Sequence, residues 1–172
     1  MKFHRFFAFA WAFVLATLAL QARAEEGSES EEERAVAVQI GPVGERNLKD
    51  KTSSAGATAA VEVTPMEDLL KIEAGATLLA TPHRREMIAS LLFKTPLWVS
   101  PDSEILMGAG PKASKALQDT RDTAFGFLAN VEYAHWFNKS IGWYAGPEYG
   151  VGVGKSKGEH TVGLSAGILL GW

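Results

Sequence analysis

HTVGLSAGILLGW, residues 160 to 172, ends the sequence. From Val162 every second residue is apolar (Val162, Leu164, Ala166, Ile168, Leu170, Trp172), and the positions between are Gly and Ser with one Leu. A period of two is that of a β-strand, whose successive side chains point to opposite faces. One face here is greasy, the other nearly bare, and the strand stops on an aromatic. A soluble sheet would turn the greasy face inward and show water a charged one. A greasy face backed by small residues suits the closing strand of an outer-membrane barrel, with lipid outside and a crowded interior.

The same pattern recurs upstream. Candidate strands cover about 35–41, 56–64, 69–79, 86–95, 102–111, 122–136, 141–153 and 160–172, eight segments rich in residues that fit a half-buried pleat. The first, AVAVQIG, alternates poorly and is expected to stop at Pro42, which has no N–H for a ladder. Pro65 to Asp68, Pro96 to Pro101 and Phe137 to Ser140 read as tight turns, and Val43 to Ala55 as a longer polar loop. Tight turns on one side and four other connections opposite describe an eight-stranded antiparallel up-and-down transmembrane β-barrel, all-β, with both termini on the tight-turn side.

Alternation assigns the faces. In the sixth segment Phe125, Phe127, Ala129, Val131 and Tyr133 oppose Gly126, Leu128, Asn130, Glu132 and Ala134; in the third, Leu70, Ile72 and Leu78 oppose Lys71, Glu73, Gly75 and Thr77. The polar face is dominated by small residues, which fits polar-in and apolar-out. A polar cluster is therefore expected inside: Glu62, Lys71, Glu73, Lys94, Glu104, Asn130, Glu132, Tyr144 and Glu148. Within it Glu62 should pair with Lys71 and Lys94 with Glu104 across their turns, leaving Glu73, Glu132 and Glu148 without a cation. Packing is the bland reading of such a plug; a proton-handling or ligand-binding cluster is the sharper one. Trp98, Trp136, Trp143 and Trp172 all fall at the tight-turn ends of their strands, and a periplasmic-side aromatic girdle is expected there, since an indole wants an apolar body and a wet N–H.

The start of the sequence reads differently. Lys2 and Arg5, an apolar run from Phe6 to Leu20 and the Ala22-Arg23-Ala24 site make residues 1–24 an export signal peptide; a membrane anchor is the other reading of that run. Residues 25–34, EEGSESEEER, hold six glutamates and read as a disordered acidic leader, with a metal-buffering or partner-binding arm as the alternative. Residues 35–172 form the barrel domain. The signal holds three basic and no acidic residues, so the rest carries 14 basic against 20 acidic, a net charge of −6, which speaks against nucleic acid as a partner. No later segment reaches the roughly 20 apolar residues of a spanning helix. The lack of cysteine excludes disulfides, thiol catalysis and Cys-ligated metal.

No catalytic, cofactor-binding or metal-ligating motif is identified. Ser156, Glu159 and His160 sit together in the last outer connection, yet nothing in their spacing imposes a nucleophile, base and orienter geometry. His83, Arg84 and Arg85 make a basic outer loop able to touch lipid phosphates, and His135 beside Trp136 reads as a boundary residue. The Gly runs near Val151 do not open a helix and carry no nucleotide signal.

Four segments, AVEVTPMEDLLKIEAGATLL (60–79), LLFKTPLWVSPDSEILMGAGP (91–111), GWYAGPEYGVGVG (142–154) and VGLSAGILLGW (162–172), carry a resemblance to the small outer-membrane barrels of the OmpA/OmpX type, and more closely to a recurrent family of exported proteobacterial proteins. The resemblance implies a fold and a membrane, and it transfers no catalytic residue. Trp172 stands where the usual terminal residue is Phe. The expected role is structural or surface-interacting, without an open pore; a soluble lipocalin-like binder with an apolar lumen and a lipid-modifying rim enzyme are the alternatives. Expected partners are membrane lipid and, through the C-terminal strand, the outer-membrane assembly machinery; the sequence assigns no oligomeric state.

Overall fold

The computed structural model describes residues 35–172 apart from 67, 83 and 118–122. The signal peptide, the acidic leader and His83 lie outside the described residues. The strands are β1 (Val36–Asn47), β2 (Ser53–Met66), β3 (Leu70–Ala80), β4 (Arg85–Ser100), β5 (Ser103–Ala116), β6 (Thr123–Trp136), β7 (Ile141–Val153) and β8 (His160–Gly171). Each pairs antiparallel with the next, and β8 returns to β1, so the sheet is a closed barrel. Closure runs to the last residue, because Val36 and Trp172 exchange backbone hydrogen bonds of 3.2 and 3.1 Å. No edge is left, as a lipid-embedded backbone requires.

β1 is the largest departure from the sequence reading. It passes through Pro42 and continues to Asn47, so the β1–β2 connection is only 48–52, not 43–55. Pro42 still pairs with Ala57 of β2, while the β1–β8 register has no partners for Gly41 and Pro42. The ring thus meets the side where the ladder lapses, and its missing N–H is not called on. The same device appears at Gly110-Pro111, where β4–β5 pairing lapses, and at Gly146-Pro147, where β6–β7 pairing lapses. The glycine of each pair lets the neighbouring backbone approach: a Cβ on Gly41 would collide with the Ala166 carbonyl, and one on Gly110 with that of Leu91.

Every second residue faces outward. Phe93, Met107, Phe127, Val131, Leu164 and Ile168 are exposed large apolar side chains, far more than a water-facing surface tolerates in one continuous belt. The inward set includes charged residues that are nearly or wholly inaccessible. That inversion makes the protein an outer-membrane barrel, with lipid around it. The termini and the turns after β2, β4 and β6 share one end, the periplasmic end in barrels of even strand number; it is called the termini end below, and the other the loop end.

Candidate functional site

The inward positions of the termini-end half build a charged plug. Lys71 and Lys94 stand on neighbouring strands in register, and four carboxylates converge on them. Lys71 Nζ lies 2.7 Å from Glu104 and 3.6 Å from Glu62. Lys94, with no exposed surface at all, lies 2.5 Å from Glu73, 3.2 Å from Glu62 and 3.3 Å from Glu132. Stripping water from an ammonium ion costs several kcal/mol. Only a full shell of acceptors offsets that, and Glu62, Glu73 and Glu132 supply it from three separate strands.

The placement keeps the expected Glu62–Lys71 pair and corrects the others. Glu73 and Glu132 do not lack a cation, since both meet Lys94. Lys94 does not meet Glu104: its register partner is Gly108, while Glu104 lies opposite Trp98 and bonds Lys71. The reason is strand length, for β4 runs to Ser100 and carries Glu104 toward the mouth, past the level of Lys94. Glu148 stands apart, half-buried opposite Gly163 and Asn130, its side chain lying over Gly163. Gln39, absent from the expected cluster, donates from Nε2 to Glu132 at 3.0 Å. Its signal was its inward parity with Ala37, passed over because the alternation of the first segment was judged poor.

Below the ions, at the mouth, Ala37, Leu106, Ala134, Trp136, Tyr144 and Leu169 form one buried cluster. Trp136 therefore is not part of a lipid-side girdle; it faces inward, two residues on from Ala134 and four from Glu132. Trp98 is likewise inward. Its indole N–H donates to Asp68 at 2.6 Å and its ring stands 5.8 Å from Lys71 Nζ. Of the four tryptophans, those that do face lipid are Trp143, packed on Tyr133 with centroids 5.4 Å apart, and the exposed Trp172. Position along a strand had placed all four tryptophans together; parity separates them. Nearby, Ser103 Oγ is shared by His135 Nδ1 at 2.9 Å and by the Tyr133 hydroxyl, which donates to it at 3.1 Å. Inside the plug, Tyr144 OH, Asn130 Oδ1 and one oxygen of Glu104 are buried without a hydrogen-bonding partner among the described residues.

The loop-end half is built otherwise. Thr58 and Thr77 share a 2.9 Å hydrogen bond, Val43, Leu79 and Ile88 form a small buried cluster, and a polar cavity of about 610 Å³ opens with Leu79, Glu45, Ser54, Glu86, Ser114 and Glu159 in its wall. Lys112 donates to Thr161 at 3.3 Å. The trio Ser156, Glu159 and His160 is not assembled: Ser156 and Glu159 line the cavity, whereas His160 Nδ1 is 2.7 Å from the Tyr149 hydroxyl, on the outward face. Arg84 turns to Glu86 at 3.8 Å. Among the described residues no group of three or more His, Cys, Asp or Glu is placed to hold a metal ion.

No family model matches the chain, and no curated protein matches it. Solved structures do. The chain is similar to Neisserial surface protein A (TM-score 0.65, 14% identity, covering 80% of this chain and 97% of that one). It is also similar to Ail, the attachment invasion locus protein of Yersinia pestis (TM-score 0.60, 11% identity, 82% and 100%), and to the outer membrane protein OprG of Pseudomonas aeruginosa (TM-score 0.60, 9% identity, 84% and 99%). At these identities the likeness establishes the small barrel fold and no narrower family.

Proposed function

We propose that this protein is a sealed outer-membrane barrel with a structural or surface-interaction role, and not an open pore. The observation that carries the reading is Lys94: an ammonium ion with no accessible surface, ringed by carboxylates from three strands, is incompatible with a water-filled lumen at that level. Above a tight aromatic and aliphatic mouth, the plug spends the interior on cohesion. A lipocalin-like binder would need an apolar lumen, and this one is charged. A rim enzyme would need Ser156 and His160 on one side of the wall, and they lie on opposite sides.

Surface interaction, if it uses protein contacts, is confined to the loop end, where the connections are short: 48–52, 81–84, 117–122 and 154–159. A partner there meets the rim and the polar cavity, not long loops. Two of the similar structures bear the names surface protein and attachment locus protein, which agrees with this class of role. The C-terminal strand, apolar outward and closing on β1, is the segment we assign to the outer-membrane assembly machinery. Planar-bilayer recording of the refolded barrel tests the proposal. Background conductance with heat-modifiable gel mobility is expected; a steady ohmic conductance from folded protein would overturn it.

A further inference from the structure

On the flank where β1, β8 and β7 adjoin, the loop end carries donors that the fold does not use. Arg46, one before the last residue of β1, faces outward with Val162 of β8 opposite it, and Val162 in turn stands opposite Tyr149 of β7. His160, the first residue of β8, lies two residues from Val162 on the same face, so Arg46 and His160 are diagonal neighbours about 7–8 Å apart. The Tyr149 hydroxyl is 2.7 Å from His160 Nδ1, and the two ring centroids are 6.0 Å apart. A phenol is the stronger acid of this pair and an imidazole nitrogen the stronger base, so the hydroxyl donates to Nδ1 and the ring proton sits on Nε2. That N–H is directed away from Tyr149. Arg46 is exposed, and none of the ion pairs or hydrogen bonds among the described residues engages its guanidinium. No strand carboxylate competes for it on the flank, because all seven, from Glu45 to Glu148, occupy inward positions.

We propose that Arg46 and the Nε2–H of His160 together hold the phosphate of a lipid in the outer leaflet, with Tyr149 fixing the imidazole. A guanidinium presents a flat fork of donors to a phosphate, and its stem lies on the apolar wall while the head rises to the interface. A tyrosine ring, apolar in body and polar at its tip, suits the same level. Beneath the donors the wall is apolar, with Leu164 and Ile168 exposed. It is also open: Gly44, outward and two residues below Arg46, stands between Leu164 and Ala55, and a Cβ there would meet nothing nearer than the Ser54 carbonyl oxygen at 4.0 Å. An acyl chain can lie along that strip under its own phosphate. The donors face the flank of the barrel and not its opening. A soluble acidic partner would have to approach through the membrane plane, whereas a headgroup is already there. The site stands whether or not the lumen is sealed.

The test uses the full barrel in neutral detergent micelles doped either with bis-phosphorylated lipid A or with its dephosphorylated form, bound lipid being measured by native mass spectrometry. Wild type should prefer the phosphorylated lipid. A cation near an anionic surface contributes about fivefold, and a hydrogen-bond donor about as much. Arg46→Gln with His160→Phe should therefore weaken the phosphorylated lipid about 25-fold and leave the dephosphorylated one unchanged. Lys112→Gln removes a charge from the inward face and should have no effect. Equal binding of the two lipids by wild type would overturn the proposal without any variant having to fold. So would an unchanged preference in the folded double variant, an equal loss in Lys112→Gln, or full displacement by inorganic phosphate at the lipid's own concentration, which would mark a free-anion site. Tyr149 acts through His160, so its role is read from the imidazole nitrogen shifts in NMR at about pH 8, where a free imidazole is neutral. Wild type should show the proton on Nε2 and Tyr149→Phe a mixture of tautomers; a proton on Nδ1 in wild type would overturn the assignment of the donor.

Discussion

The two halves of the lumen use one wall in opposite ways. In the termini-end half the inward positions hold long side chains, Lys71, Lys94, Glu62, Glu104, Trp136 and Tyr144, and they meet across the axis. In the loop-end half those positions are mostly Gly, Ser, Thr and carboxylates beside Lys112 and the small Val43, Leu79 and Ile88 cluster, and a cavity of about 610 Å³ is left. Strand number sets the bore of both; side-chain length decides whether it is filled. The filled half fixes which strands lie together, since the ligands of Lys94 come from β2, β3 and β6. The open half fixes little inside and is free to face the exterior.

If that contrast is right, the plug should be intolerant of losing a cation and tolerant of losing a carboxylate. Lys94→Met would leave Glu62, Glu73 and Glu132 facing one another in a dry interior, and removal of one partner from a buried ionic group costs about 3 to 5 kcal/mol. Glu132→Gln should cost far less, because four carboxylates surround two lysines and the amide oxygen still accepts from Lys94, while its NH2 donates to the Gln39 carbonyl oxygen once that amide turns over. Urea unfolding of the refolded barrel in detergent compares them. Equal midpoints for Lys94→Met and wild type would show that the ion cluster does not hold this half together.

The halves also differ in what an added arginine meets. On the lipid face, Val131→Arg should cost about 2 to 4 kcal/mol near the bilayer middle and block assembly into lipid vesicles. At the loop end, Ser54→Arg enters a cavity already walled by Glu45 and Glu86, and its effect should stay within about 0.5 kcal/mol, as for surface changes. Assembly yields of the two variants decide; a Ser54→Arg defect as deep as that of Val131→Arg would mean the loop-end cavity is not open space.

Much of this was legible in the period-two pattern. The eight strands, the sense of the faces and the closing role of residues 160–172 follow from alternation, because a one-residue error would turn every face inside out. The plug members were legible by parity too. Their partners were legible only in part: Glu62 does meet Lys71, but Lys94 and Glu104 looked adjacent across a turn, and only the true length of β4 sets them at different levels. The far half of β1, Val43 to Asn47, was lost when Pro42 was read as a stop, since the sequence does not say on which side of a strand the missing N–H would fall; Gln39 lay within the expected strand and was passed over because its alternation was judged poor. Trp98 and Trp136 show the opposite lesson. Their parity was available in the sequence, and weighing strand ends over parity put them on the wrong face. The loop-end cavity had no sequence signal, being defined by what short side chains leave empty.

The smallest effect is expected in the β1–β2 connection, at the rim of the open half. Asn47 Oδ1 accepts the Lys49 N–H at 2.9 Å, and Asp50 accepts both the Thr52 hydroxyl at 2.6 Å and its backbone N–H at 3.0 Å, while Lys51 takes the left-handed conformation at φ 61. The hydroxyl bond from Thr52, then its N–H bond, hold the Asp50 carboxyl below its ordinary value, because both favour the ionised form. A lowered folded-state pKa contributes stability that is present above the unfolded value, about 3.9 for aspartate, and is lost as pH falls through the folded one. Asp50 is fully exposed to solvent, so the loss should be local: the turn loosens in acid while the plug, a barrel's depth away, is undisturbed. An NMR titration of Asp50 in the micelle-bound barrel should give a value below that of free aspartate, and Thr52→Ala should move it back up. If Asp50 titrates as free aspartate in both proteins, the turn is not held by these bonds, and the short connections at the loop end need another source of order.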